Sequence, residues 1–180
     1  MKITCFTMKK SIEEAEKEAR CKGFLGRLFA RKKPDEIVMK TIYIENRLIT
    51  FEMVKEASVI DRLLKRAPSS KTSRIRMIAN GSTCGVSYYD DRGIQTGELE
   101  VPEEALQRSD YSDDALSLRG NALARRILRR RVGGNMRLEV SSIESIYRPY
   151  HIAFFGAPEE GKKVFYLPIA ADDCTVKRTF

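Results

Sequence analysis

A chain of 180 residues that is 42% hydrophobic and 32% charged is long enough to bury a core and too apolar to remain unfolded. No stretch approaches the roughly 20 apolar residues a spanning helix needs, which excludes a helical membrane span. The formal charge of +8 points to an acidic partner (nucleic acid, anionic lipid or an acidic protein face) or to a solvated basic surface.

Met1 to Thr7 reads as a short strand or an irregular lead without the apolar run of a signal peptide, so a cytoplasmic location is expected. Ser11 and Glu14 have capping-box spacing and open a first helix. Glu13, Glu14 and Glu16 lie at its positive end, and Arg27, Arg31, Lys32 and Lys33 at its negative end. Ala15, Ala19, Phe24, Leu25, Leu28 and Phe29 form a broken apolar stripe, and Pro34 stops the helix.

Glu36 to Met53 alternates as a strand, with Glu45-Asn46-Arg47 as a tight turn or a bulge within it. Glu56 to Arg66 predicts a short amphipathic helix, and Ala67 to Ser73 a loop. Arg74 to Ala79 and Val86 to Tyr89 are strands joined at Asn80-Gly81, where positive φ is tolerated. Ile94 to Val101 adds another strand, and Pro102-Glu103-Glu104 resembles a helix first turn. A second long helix starts near Ser112, with Leu116, Gly120, Leu123 and Ile127 inward, and stops at Gly133-Gly134. Met136 to Tyr147 is extended, and Pro149 should mark an edge or a bulge. Tyr150 to Phe155 and Lys163 to Ile169 form a hairpin, and Thr175 to Thr179 a last strand.

Ile42-Tyr43 through Phe51 and Ile146-Tyr147 through Phe155 read as two versions of one strand. A shift of ninety positions also places Ile75, Met77, Ala79, Cys84 and Val86 on Phe165, Leu167, Ile169, Cys174 and Val176. The expected fold is therefore α+β: two similar αβββ units packed as one compact protein. Residues 1–101 form the first unit, with the short helix inserted, and residues 102–180 the second.

Asn80-Gly81-Ser82-Thr83-Cys84-Gly85-Val86, closing the stretch Ile75 to Tyr89, resembles the Asp-Ala-x-Thr-Gly-x-Val ending of PepSY-type modules. Ala171-Asp172-Asp173-Cys174-Thr175-Val176 stands in the same place in the second unit. Neither copy has the Asp and Gly of that motif in their usual positions. The resemblance implies a non-catalytic binding or modulatory module.

His151 is the sole histidine, so any Ser-His-Asp or Cys-His site would have to use it; in a strand-like segment between aromatic and aliphatic residues it reads as a packed or edge histidine. Cys5, Cys21, Cys84 and Cys174 form no C-x-x-C pair and are expected as free thiols. No metal-ligand cluster and no phosphate-binding glycine loop is present, so no cofactor is expected. The candidate binding surface is Arg119, Arg125, Arg126, Arg129, Arg130 and Arg131, extended by Tyr147, Arg148, Tyr150 and His151. Arginines three or four apart share a helix face and offer guanidinium forks to phosphate; they equally complement a helix C-terminus and pair with carboxylates. The leading expectation is a non-enzymatic module for a protein or peptide, with a homodimer possible. A nucleic-acid-binding protein is second and an enzyme third.

Overall fold

Two long strands, β2 (Ile37–Lys55) and β7 (Met136–Phe155), organise an α+β architecture. The computed structural model describes residues 1–21, 37–55, 73–90, 92, 94–131, 136–156, 165–172 and 174. Around the long strands lie β1 (Lys2–Phe6), α1 (Ile12–Cys21), β3 (Ser73–Asn80), β4 (Val86–Tyr88), β5 (Thr96–Glu100), a 3-10 turn (Glu103–Ala105), β6 (Leu106–Gln107), α2 (Asp113–Arg131) and β8 (Phe165–Ala170). The strand order is β4-β3-β2-β7-β1-β5, with β6 on β2 and β8 on β7.

The chain forms two compact units, and residues on both sides of position 101 contribute to each. The first unit holds Met1–Ile44, Gly93–Gln107 and Tyr147–Cys174. There α1 lays Ala15 and Ala19 on Ala153 of β7 and Ile169 of β8. Alanine on that face lets the helix approach the sheet closely. A second cluster joins Ile3 and Cys5 of β1 to Tyr43, Val101 and Tyr147.

The other unit contains Glu45–Arg92 and Arg108–Ile146. Leu116, Ala124 and Leu128 of α2 cover Ile49, Phe51 and Met53 of β2 and Ile75, Met77 and Ala79 of β3. The period of two along each strand aims these side chains at the helix, and each large one fully buried contributes about 1.5–3 kcal/mol. Gly120 is the contact point: a Cβ there would lie 3.1 Å from Phe51 Cζ.

The hydrogen-bonding scheme recurs along the chain. Shifting β2 by 104 positions and β3 by 90 carries the pairs Asn46↔Asn80 and Phe51↔Ile75 onto Tyr150↔Ala170 and Phe155↔Phe165. Gly81 N–H donates to the Glu45 carbonyl at 3.0 Å, and Ala171 N–H to the Pro149 carbonyl at 3.0 Å. The segment before each helix then bonds back: Asp110 N–H to the Gly81 carbonyl at 2.9 Å, and Lys9 N–H to the Ala171 carbonyl at 2.8 Å. Ser11 Oγ accepts from Glu14 N–H at 3.2 Å, and Ser112 Oγ from Ala115 N–H at 3.3 Å. Ser11 N–H donates in turn to Glu14 Oε2 at 2.9 Å, which completes the capping box expected for α1.

Several local expectations are corrected. Glu45-Asn46-Arg47 is not a turn, because β2 runs through it as one strand, in register with β3 from Asn46 to Met53. Pro149 is not at an edge: it is fully buried within β7. It sits where pairing passes from β1, at Tyr147, to β8, from Tyr150 onward, so its missing N–H falls between those two ladders. At Asn80-Gly81 the positive φ belongs to Cys84, at 53°. Asn80 Oδ1 instead accepts from the N–H groups of Ser82 and Thr83, both at 2.9 Å. Gly81 is required for proximity, since a Cβ there would lie 2.5 Å from the Glu45 carbonyl oxygen. Pro102-Glu103-Glu104 opens a 3-10 turn rather than a helix, and the chain re-enters extended backbone at Leu106. The expected elements at Glu56 to Arg66 and Thr175 to Thr179, the basic end of the first helix, Gly133-Gly134 and the Arg131 side chain lie outside the described residues.

Candidate functional site

From Arg119 to Arg131 the chain carries no acidic residue. The α2 face turned from its core is formed by Leu118, Arg119, Ala122, Arg125, Arg126, Arg129 and Arg130, all exposed. The buried positions Leu116, Gly120, Ala124 and Leu128 fix that orientation by the helix period. A surface depression of about 400 Å³ is lined by Ala122, Arg125, Arg126, Arg129 and Arg130. Arg125 and Arg129, like Arg126 and Arg130, are one turn apart, a rise of about 6 Å.

These guanidiniums differ in what holds them. Arg125 Nε donates to Asn121 Oδ1 at 2.7 Å. Arg119 Nη1 reaches the Cys84 carbonyl at 3.4 Å. No carboxylate among the described residues pairs with Arg126, Arg129 or Arg130. The opposite end of the helix contrasts with this. There Asp113 accepts from Arg47 Nε at 2.7 Å, and Arg47 also binds Glu45. Burial opposes ionisation of Glu45, but bonds from Arg47, the Ser145 hydroxyl and Ser109 N–H prevail and hold its carboxyl below the usual range. Burial likewise works against the Arg47 charge, and its two carboxylate partners outweigh it.

The other candidate residues lie in the first unit, where they form an internal polar core. Tyr147, Arg148 and His151 are buried, and Tyr150 is half-buried. Arg148 binds Asp172 through both Nε and Nη2, at 2.8 and 2.7 Å, and Nη2 also donates to the Cys174 carbonyl at 3.0 Å. The guanidinium lies 6.0 Å from the centre of the Phe6 ring and 5.5 Å from that of Tyr150. Burial alone would lower its pKa; the Asp172 bonds reverse this and raise it.

Both nitrogens of His151 are engaged. Nε2 lies 2.9 Å from the Lys10 carbonyl, which can only accept, so Nε2 carries a proton. Nδ1 lies 3.0 Å from Thr41 Oγ1. The imidazole therefore bridges β2 to the segment before α1. Burial raises the thiol pKa of Cys5 and of Cys174, against the influence of Arg148 in the second case, so neither is poised as a thiolate. All four cysteines are unpaired.

Among the described residues no cluster of His, Cys, Asp or Glu could hold a metal ion, and no helix is long and apolar enough to cross a membrane. The role of Asp172 in neutralising Arg148 was not readable from sequence; a carboxylate 24 positions away carries no local signature. Comparison with known protein families, curated proteins and solved structures gives no match.

Proposed function

We propose that this protein is a non-enzymatic binding module whose working surface is the arginine face of α2, and that its partner is nucleic acid. One observation carries the proposal: Arg126, Arg129 and Arg130 are exposed around a depression with no carboxylate partner among the described residues. Unpaired, adjacent guanidiniums repel one another, and that repulsion is relieved when phosphates dock. The net charge of +8 favours the encounter over a longer range. The test is retention on immobilised nucleic acid at low salt. Retention should be lost when Arg126, Arg129 and Arg130 become Glu; equal retention of that variant would sink the proposal.

The second reading is a PepSY-like module that binds a protein or peptide. It is favoured by β5, every residue of which is exposed. It is also favoured by β8, where Phe165 and Tyr166 are 50% and 64% exposed. Strand addition at such an edge would survive moderate salt, unlike phosphate contacts.

The architecture belongs to the same proposal: residues 1–101 and 102–180 are copies of one αβββ module, interleaved so that each helix covers the other copy's hairpin. The shared registers of the two hairpins and the matching bonds from Gly81 and Ala171 support it. Such a module would act in the cytoplasm.

A further inference from the structure

Given that nucleic acid is the partner, we infer that the α2 face binds the phosphate backbone of a double helix without reading its sequence. The residues available for contact decide this. Leu118, Arg119, Ala122, Arg125, Arg126, Arg129 and Arg130 make up the exposed stripe.

No Phe, Tyr, Trp or His lies between Ser112 and Arg131, so α2 supplies no platform on which an unstacked base could rest. Tyr147, Tyr150 and His151, the aromatic residues expected to complete the surface, are buried or half-buried in the first unit. Single-strand binding depends on such stacking, whereas a duplex supplies regularly spaced phosphates and requires only cations.

For base edges the face offers only its guanidiniums, which can fork onto guanine, and almost nothing for adenine or cytosine. Asn121 is the only carboxamide on α2, and its Oδ1 is occupied by Arg125 Nε at 2.7 Å. Leu118, 75% exposed, has no donor or acceptor. What remains is a set of guanidiniums about one helical turn apart around the small side chain of Ala122, over which a phosphodiester can approach closely. Arg125, Arg126, Arg129 and Arg130 line the depression, whereas Arg119 does not.

Four phosphate contacts give a slope of log affinity against log salt of about −3.6. Raising salt from about 50 to about 200 mM should then weaken duplex binding about 150-fold. The double variant Arg126→Gln, Arg129→Gln should have a slope of about −1.8 and lose only about 12-fold over the same range.

The experiment is fluorescence anisotropy of the full chain against two unrelated duplexes of about 20 base pairs and a single strand of the same length, titrated with sodium chloride. The inference requires equal affinities for the two duplexes, weaker binding to the single strand, and the slope change in the double variant. Tighter binding to the single strand, a preference above about tenfold between the duplexes, or an unchanged slope in the double variant overturns the duplex assignment while leaving nucleic-acid binding in place. Displacement of the duplex by poly-glutamate at equal charge would overturn the phosphate assignment in favour of an acidic protein. Failure to bind any nucleic acid at low salt would remove the parent reading as well.

Discussion

Replacing Asp172 by Ala removes the partner of the most deeply buried cation described in this fold. The side chains of Arg148 and Asp172 are 7% and 2% exposed, so water cannot take over the role of the carboxylate. The variant loses two charge-assisted bonds, at 2.8 and 2.7 Å, and leaves the guanidinium with the Cys174 carbonyl and the faces of two rings. Breaking one side of such a pair costs about 3–5 kcal/mol, a large share of the roughly 5–15 kcal/mol that holds a folded domain. With a urea dependence of about 2 kcal/mol per molar, the midpoint of unfolding followed by circular dichroism should fall by about 2 M. The double variant Arg148→Met, Asp172→Leu removes both charges and should recover most of that loss, because desolvation of the ions no longer has to be offset. A midpoint shift below about 0.5 M for Asp172→Ala, or a double variant less stable than the single one, would refute the reasoning.

Gly120→Leu should destabilise the fold by about 1–3 kcal/mol in the same assay, since even a Cβ there meets Phe51 Cζ at 3.1 Å; an unchanged midpoint would contradict the described α2 packing. Glu45→Gln should cost most stability at neutral pH, and the difference from the parent chain should shrink as pH falls below about 4. The Glu45 carboxyl titrates lower in the folded chain than in the unfolded one, so its contribution is present above the unfolded value and is lost on protonation of the folded form. A gap that widened in acid would reverse that sign. A chain cut enzymatically at a site engineered at the exposed residues Glu103 and Glu104 should elute as one species on gel filtration, because each compact unit takes its helix from one side of the cut and its main hairpin from the other. Separation of the fragments in native buffer would show that the halves fold independently.

What could be read from the sequence was what is local. The Ser11–Glu14 capping box, the inward stripe through Leu116 and Gly120, and the alternation of Ile75, Met77 and Ala79 each depend on neighbours within a few positions. The paired strands beginning at Ile42 and Ile146 were legible as similar text. Which helix covers which hairpin was not, because a period of two or of 3.6 identifies an inward face but not the surface that receives it. The same limit governs the candidate site. The arginine run lay on one helix face by spacing alone, and the structure keeps Arg125, Arg126, Arg129 and Arg130 exposed there. Arg148 and His151 belong with the candidate surface by their position in the sequence, although His151 also reads as a packed or edge histidine; both are buried, because Asp172 and the Lys10 carbonyl satisfy them from 24 and 141 positions away.

The central claim, that the α2 face is where the partner binds, is tested most directly by amide hydrogen exchange of the full chain with and without a duplex at low salt. Protection should appear in the peptides spanning Leu118 to Arg130 and vanish when Arg126, Arg129 and Arg130 become Glu. Protection confined to β5 or β8, with α2 exchanging as in the free chain, would contradict it.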